Sequence, residues 1–339
     1  PATPWPCAQN PTPHAVHVSG PSHARGRRVA IPLPCGVVTA ALPIRTRNLG
    51  KSYASGVVGL DDVTLEVQHG ERLGFLGPNG AGKTTFIRCA VGLLRPTSGS
   101  VQIMGHDMAR DPMAALAQVG YVPGELGLIR DVSGRRMLDV LTRLHPRPPV
   151  LRERLLSALE LDPTTLGRRI REYSTGMRQK LGLVAALQHD PPVIILDEAT
   201  SGLDPVMQAR LLEMLDERAR AGRTVFFSSH SLGEVDELCD RVAMVRDGRL
   251  LLVKSVDELR RARVRTVEVL FAGDVDASLY RVDGMNDLRV EGHVHHFTLA
   301  GDPGPLLARL GTLSPRDITI EAARLEDVFR ALYLGNGDA

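Results

Sequence analysis

No apolar run in this sequence reaches the roughly 18 residues needed to cross a bilayer, so any work at a membrane is expected to pass through a partner chain. The four cysteines, Cys7, Cys35, Cys89 and Cys239, form no C-x-x-C pair, which argues against a zinc site or a disulfide framework. Cys89 and Cys239 sit among apolar neighbours and read as small buried hydrophobes. Charge of one sign is also missing: 41 basic and 39 acidic residues leave a formal net charge of +2, and no dominant nucleic-acid surface is expected. No Asn-Lys-x-Asp string is present, which removes the guanine-recognition pattern, and no sustained heptads suggest a coiled coil. His293, His295 and His296 cluster as HVHH without adjacent carboxylates or cysteines, and read as a solvated hairpin turn rather than a metal site.

What is present is ordinary for a globular chain, with 43% hydrophobic and 24% charged residues. Its 339 residues allow one large domain and one small one. Residues 1–43 are rich in Pro, His, Ala and Gly and show no period. Arg25 to Arg28 precede an apolar stretch that two prolines interrupt, so it falls short of a secretory signal. We read 1–43 as a disordered N-terminal extension. From Ile44 strands and helices alternate, which implies a largely parallel sheet. Strands are expected at Val57–Val67, Arg72–Leu76, Ser100–Met104, Val119–Val122, Val193–Leu196, Thr224–Ser228 and Arg241–Val245. Helices are expected at Thr84–Leu94, Val206–Ala221 and Leu232–Cys239. Between about 125 and 187 strand character is lost, and helical spacing appears at Met137–Leu144, Leu151–Leu161 and Thr175–Gln188. Residues 263–339 read as a small α+β domain, with a last helix at Leu325–Leu334.

The first chemical signal follows the strand at Arg72–Leu76. Gly77-Pro78-Asn79-Gly80-Ala81-Gly82-Lys83-Thr84-Thr85 is a complete G-x-x-x-x-G-K-[ST] loop placed between a strand and a helix. Its glycines let the backbone curl so that successive N–H groups face phosphate oxygens. Lys83 brings positive charge to the β- and γ-phosphates, Thr84 offers a hydroxyl to Mg²⁺, and the helix start adds its dipole. The second signal is Val193-Ile194-Ile195-Leu196-Asp197-Glu198, a buried strand ending in two acids at the carboxyl edge of a parallel sheet, where ligands bind. Asp197 is suited to help hold Mg²⁺, and Glu198 to act as general base toward water.

With these motifs in order, the chain resembles the ATP-binding cassette ATPases. Tyr173-Ser174-Thr175-Gly176-Met177 is similar to their LSGGQ signature, Ser201-Gly202-Leu203-Asp204 to the D-loop, His230 to the switch histidine, and Tyr53 to the aromatic that stacks on adenine. By themselves Tyr53 also reads as a turn aromatic and His230 as a capping histidine. The resemblance covers about residues 44–262. It implies an α/β fold of the P-loop NTPase cassette type: a mostly parallel core sheet, an antiparallel N-terminal β part and a helical subdomain at about 125–187. It implies ATP and Mg²⁺ as ligands and a homodimer or heterodimer of ATPase subunits. In such a dimer Ser174 and Gly176 would face the γ-phosphate held by the opposite subunit, His230 would contact that phosphate, and Asp204 would couple the two sites.

Two positions depart from the family pattern. Thr175 replaces the first glycine of the signature, and a β-branched residue restricts the backbone there. Gly124 stands where the coupling loop usually carries Gln, and Glu125 follows it as a candidate substitute. The loop from Pro123 to Leu128, together with Arg324 to Leu332, resembles ATPase subunits of bacterial drug, antibiotic and polysaccharide-type exporters. That resemblance implies a separate multi-spanning membrane permease and a place on the cytoplasmic face of the cell membrane. The alternative is a cassette ATPase without transport, acting on a ribosome, nucleic acid or assembly complex. A single cassette without a long coiled coil weighs against it.

Overall fold

The computed structural model describes residues 41–261 and 264–322. The extension up to residue 40, Cys7, Cys35 and the expected helix at Leu325–Leu334 lie outside the described residues. The strands are β1 (Ile44–Ser52), β2 (Val58–Val67), β3 (Arg72–Leu76), β4 (Ser98–Ile103), β5 (His106–Asp107), β6 (Val119–Val122), β7 (Val193–Asp197), β8 (Thr224–Ser229), β9 (Arg241–Arg246), β10 (Arg249–Ser255), β11 (Val264–Leu270), β12 (Met285–Glu291), β13 (Val294–Ala300) and β14 (Asp317–Ala322). The helices are α1 (Lys83–Ala90), α2 (Pro112–Leu116), α3 (Gly134–Leu144), α4 (Arg152–Ala158), α5 (Pro163–Gly167), α6 (Thr175–Leu187), α7 (Pro205–Arg220), α8 (Leu232–Leu238), α9 (Val256–Arg261) and α10 (Gly304–Leu313).

Three sheets result. The central one runs β10-β9-β3-β8-β7-β6. Its five strands from β9 to β6 are parallel and β10 is antiparallel. Strand β7 is buried at every position, which explains its unbroken apolar run. An antiparallel sheet, β2-β1-β4-β5, lies in the N-terminal part. Phe75, Phe86 and Phe226 wedge together with ring centroids 4.7 to 5.4 Å apart, fastening α1 to β3 and β8. That aromatic wedge fixes the strand and the helix between which the phosphate loop is strung. Helices α3 to α6 form the expected helical region. Ser133 caps α3 through Arg136 N, and Asp162 caps α5 through Thr165 N.

The third sheet, β12-β13-β11-β14, is antiparallel and has its own core, in which Val267, Phe297 and Leu299 meet Leu306 and Leu310 of α10. Here the histidine expectation needs correction. His293 is in the turn, but His295 is buried on the inner face of β13 and hydrogen-bonds Tyr280 through Nδ1. His293 pairs with Asp274 at 3.2 Å and His296 with Glu268 at 3.4 Å, partners that are distant in sequence. Strand alternation sends residue 295 inward and its neighbours outward.

Two helix boundaries and one strand also differ from expectation. Helix α1 stops at Ala90 rather than Leu94, because Gly92 adopts φ 70° and ends it. Helix α4 stops at Ala158, with Glu160 at φ 55° turning the chain. Strand β10 was not anticipated. It is joined to β9 through Asp247 and Gly248, both at positive φ, the two-residue hairpin turn that Asp-Gly favours.

Candidate functional site

Between β3 and α1 the chain from Gly77 to Gly82 wraps into a tight loop. Gly77 lies so close to β9 that a Cβ there would stand 2.4 Å from the Val245 carbonyl oxygen. Gly82, at φ 107°, precedes Lys83 with no side-chain cap, so the first amides of α1 stay free for a ligand. Gly80 also has positive φ, and Ala81 N–H donates to the Pro78 carbonyl at 3.1 Å. Lys83 is almost fully buried. Its Nζ donates to the carbonyls of Gly77 (2.7 Å) and Pro78 (3.2 Å), which folds the ammonium back over the loop.

The two acids arrive at the end of β7 and separate. Asp197 is buried and accepts from Ser228 Oγ at 2.8 Å. Burial pushes its carboxyl above the ordinary range, opposed by hydrogen bonds from Ser228 and Thr84. Glu198 takes φ 51°, a left-handed conformation unusual for a side chain of this size. Its amide donates to both the carbonyl (3.1 Å) and Oγ (3.2 Å) of Ser228, so one serine in β8 orients both acids. The turn aims the Glu198 carboxylate between two nitrogens: Oε1 is 3.4 Å from Lys83 Nζ and Oε2 is 3.6 Å from His230 Nδ1. His230 is 64% exposed, free to meet a ligand arriving from solvent. Asn79, Thr84, Tyr121, Glu125, Asp197 and Glu198 line one open cleft, with Gly124 among them. Burial and the Asp197 charge push the Tyr121 phenol up to about 12, so it stays a neutral wall.

Tyr53 is at the edge of the same loop. Its hydroxyl is 3.1 Å from Thr85 Oγ1, and Lys51 Nζ stands 5.6 Å from the ring centroid. Tyr53 is 37% exposed, which leaves part of the side chain open to a planar partner. Gly59 lies beneath it; a Cβ at that position would meet the ring at 2.7 Å.

A second cluster forms elsewhere. Ser174 is the N-cap of α6, its Oγ accepting from Met177 N at 3.2 Å, which leaves the hydroxyl hydrogen free to donate outward. Arg178 Nη1 donates to the Tyr173 carbonyl (2.6 Å) and Nη2 to Thr175 Oγ1 (3.0 Å). Thr175 thereby gains a partner that glycine would lack. Gly176 faces the Gly202 carbonyl, 3.1 Å from where a Cβ would stand, so the signature and the D-loop touch. Asp204 caps α7 through Met207 N at 3.0 Å. That carboxylate has a structural task in its own helix, beside whatever it does for a neighbour. Gln179 ties α6 to the Ala199 carbonyl at 2.8 Å. None of Ser174, Gly176 and Asp204 lines the cleft of Thr84 and Glu198.

The residues that sequence reasoning missed are Ser228, Gly59, Arg178 and Gln179. Ser228 had a signal, a polar residue inside an apolar strand; the other three had none before the chain was folded.

Comparisons with known proteins bear on the family and the fold. Residues 60–201 match the family model described as ABC transporter. The chain is 31% identical over 306 residues to the bacitracin transport ATP-binding protein BcrA of Bacillus licheniformis, covering 86% of this chain and 97% of that protein. It is 38% identical to the daunorubicin resistance ATP-binding protein DrrA3 of Streptomyces coeruleorubidus, over 59% of this chain and 65% of that one. Among solved structures, the ATP-binding subunit of an ABC transporter superposes with a TM-score of 0.60 at 30% identity, covering 64% of this chain and 92% of that one.

Proposed function

The chain belongs to the ABC transporter family as an ATP-binding and ATP-hydrolysing subunit, and on that premise we propose that it powers a separate multi-spanning permease exporting a drug-like or antibiotic-like small molecule. It works at the cytoplasmic face of the membrane, as a homodimer or with a related ATPase subunit. The observation that carries the dimer is the division of the site. The phosphate loop and acids share a cleft, while Ser174 and Gly176 are held in a separate cluster with free donors at a helix start. One copy is therefore half of two sites, and the donors of a second copy complete the first.

The roles follow from chemistry. The Gly77–Gly82 amides and Lys83 hold the triphosphate, and Tyr53 stacks on the adenine. Thr84 and Asp197 offer oxygen donors suited to Mg²⁺, an ion that keeps several waters and takes its other ligands from phosphate. Held by these two residues, such an ion would supply positive charge against the developing charge on the phosphate. A triphosphate draws Lys83 away from Glu198. That leaves the carboxylate free to accept a proton from the attacking water, while His230 donates toward the γ-phosphate. Loss of that phosphate removes the bridge between the two copies, and the resulting motion drives the permease.

The kinship to a bacitracin transport and a daunorubicin resistance ATP-binding protein supports export and its cargo class. The test is reconstitution with candidate multi-spanning permeases, first among them any that is encoded beside this chain. ATPase activity should rise on complex formation, and labelled cargo should move only with hydrolysable ATP. Turnover that ignores every such permease would sink the proposal.

A further inference from the structure

Two adjacent serines end β8, and strand alternation sends them to opposite faces. The two cores follow the same alternation: Phe227 packs in the core that holds Val235, and Phe226 in the other. Ser228 faces the acids of β7. Ser229, 2% exposed, faces α8 instead. Its Oγ donates to Glu234 Oε2 at 2.6 Å and accepts from the Ser231 N–H at 2.8 Å. One hydroxyl thus ties together the residue before His230, the residue after it and a side chain on the first turn of α8. Helix α8 is itself fixed on the central sheet. Val235, the neighbour of Glu234, is fully buried and packs over Gly74 of β3, where a Cβ would stand 2.5 Å from Val235 Cγ1. Glu234 makes no ion pair among the described residues, and it does not line the cleft of Thr84 and Glu198.

We infer that Glu234 is a positioning residue: through the Ser229 hydroxyl it holds the turn that points His230 at Glu198. The polarity of that hydroxyl carries the argument. A carboxylate only accepts, so the Ser229 hydrogen points at Glu234. That leaves the Oγ lone pairs for the Ser231 N–H, and the turn closes across His230. Without the acceptor the hydroxyl is free to rotate, and the Ser231 amide loses a fixed partner. The effect reaches the chemistry because the His230 side chain is lightly held. It is 64% exposed, and its Nδ1 is 3.6 Å from Glu198 Oε2, longer than a hydrogen bond. The backbone of the turn, rather than a side-chain bond, therefore aims the imidazole. The two serines divide the work: Ser228 orients the acids, and Ser229 with Glu234 orients the histidine. The inference rests on the role given to His230 in hydrolysis and names what keeps it in place.

The test uses the full chain. Glu234→Ala should lower kcat for ATP about ten-fold, the effect of losing one hydrogen bond to a charged group, with KM within about two-fold of the parent. Glu234→Gln keeps an acceptor oxygen and should restore kcat to within about two-fold of the parent. Ser229→Ala removes the hydroxyl instead and should repeat the loss, so the test does not depend on one variant folding. In the proton–carbon correlation spectrum of histidine-labelled protein, the His230 signal is assigned by its loss in His230→Ala. It should move in Glu234→Ala and return in Glu234→Gln. Added to His230→Ala, the change Glu234→Ala should lower turnover no further, whereas a general loosening of the fold would multiply the two losses. A Glu234→Ala variant as fast as the parent, a Glu234→Gln variant as slow as Glu234→Ala, multiplied losses in the double variant, or an unmoved His230 signal overturns the inference. His230→Ala alone tests the role of that histidine. Parent-like turnover there would end its part in hydrolysis, while the spectrum would still show whether Glu234 positions the ring.

Discussion

Replacing Glu198 by Gln separates the chemistry of the site from its folding. The carboxylate is held by Lys83 Nζ at 3.4 Å and His230 Nδ1 at 3.6 Å. Gln keeps the shape and one carbonyl oxygen for Lys83, and it inherits the same positive φ, so the backbone strain is common to both proteins. The side chain is 31% exposed, so the ion pair it surrenders is screened by water and contributes about 1 kcal/mol or less. Melting temperature should therefore change little. The lost function is proton acceptance, which contributes roughly 10²–10⁴ in rate, or about 3–5 kcal/mol of barrier. Phosphate release in single- and multiple-turnover assays should fall at least 100-fold while ATP affinity is kept or improved. Because the bridging γ-phosphate then persists, size-exclusion chromatography with ATP should show a dimer that the parent forms only transiently. Turnover within three-fold of the parent would refute the general-base assignment, and a normal melting temperature would deny misfolding as an excuse.

Gly77→Ala forces a Cβ to within 2.4 Å of the Val245 carbonyl, a backbone atom that cannot rotate away. Denaturant unfolding should show a loss of about 1–3 kcal/mol together with weakened ATP binding; an unchanged midpoint would disprove the close approach. Glu125→Ala removes a cleft carboxylate beside Gly124. If Glu125 stands in for the missing Gln, the Mg²⁺ concentration for half-maximal turnover should rise several-fold, and unaltered metal dependence and transport would end that role. His145 and His189 stack with centroids 4.0 Å apart, and burial holds both imidazoles below their ordinary value. A depressed histidine pKa means that the unfolded chain binds more protons. The pair's contribution is thus complete above about pH 6.5 and is lost as pH falls from there toward the folded-state values. Melting temperature should decline on acidification through this window, and the double variant His145→Asn, His189→Asn should show a shallower slope; equal slopes would reject the linkage.

The loop from Gly77 to Thr85 and the pair Asp197-Glu198 were legible because their chemistry is local. A phosphate loop needs consecutive amides and glycines in one stretch, and an acid pair at a strand end is written in adjacent letters. The parallel order of the central sheet followed from strands alternating with helices. Helix lengths were less legible, since Gly92 and Glu160 stop α1 and α4 through single left-handed residues that periodicity does not weigh. His295 was misread for a related reason. Its partner Tyr280 and its burial come from the packing of β13 on a core that no neighbouring residue announces.

The sequence by itself therefore pointed to the family of nucleotide-binding ATPases to which the chain belongs, and proposed the residues that would face the nucleotide. Only the tertiary structure decided how those residues are held. It turned Glu198 through a positive φ so that its carboxylate stands between Lys83 and His230, and it used Ser228 from a neighbouring strand to orient both acids. It also kept the Ser174 donors out of the cleft and tied the turn at His230 to Glu234 through one hydroxyl. The physical reason is range. Backbone amides and side-chain types act over a few residues and can be read in order. Burial and ion pairing depend on which distant segments the packed core sets side by side.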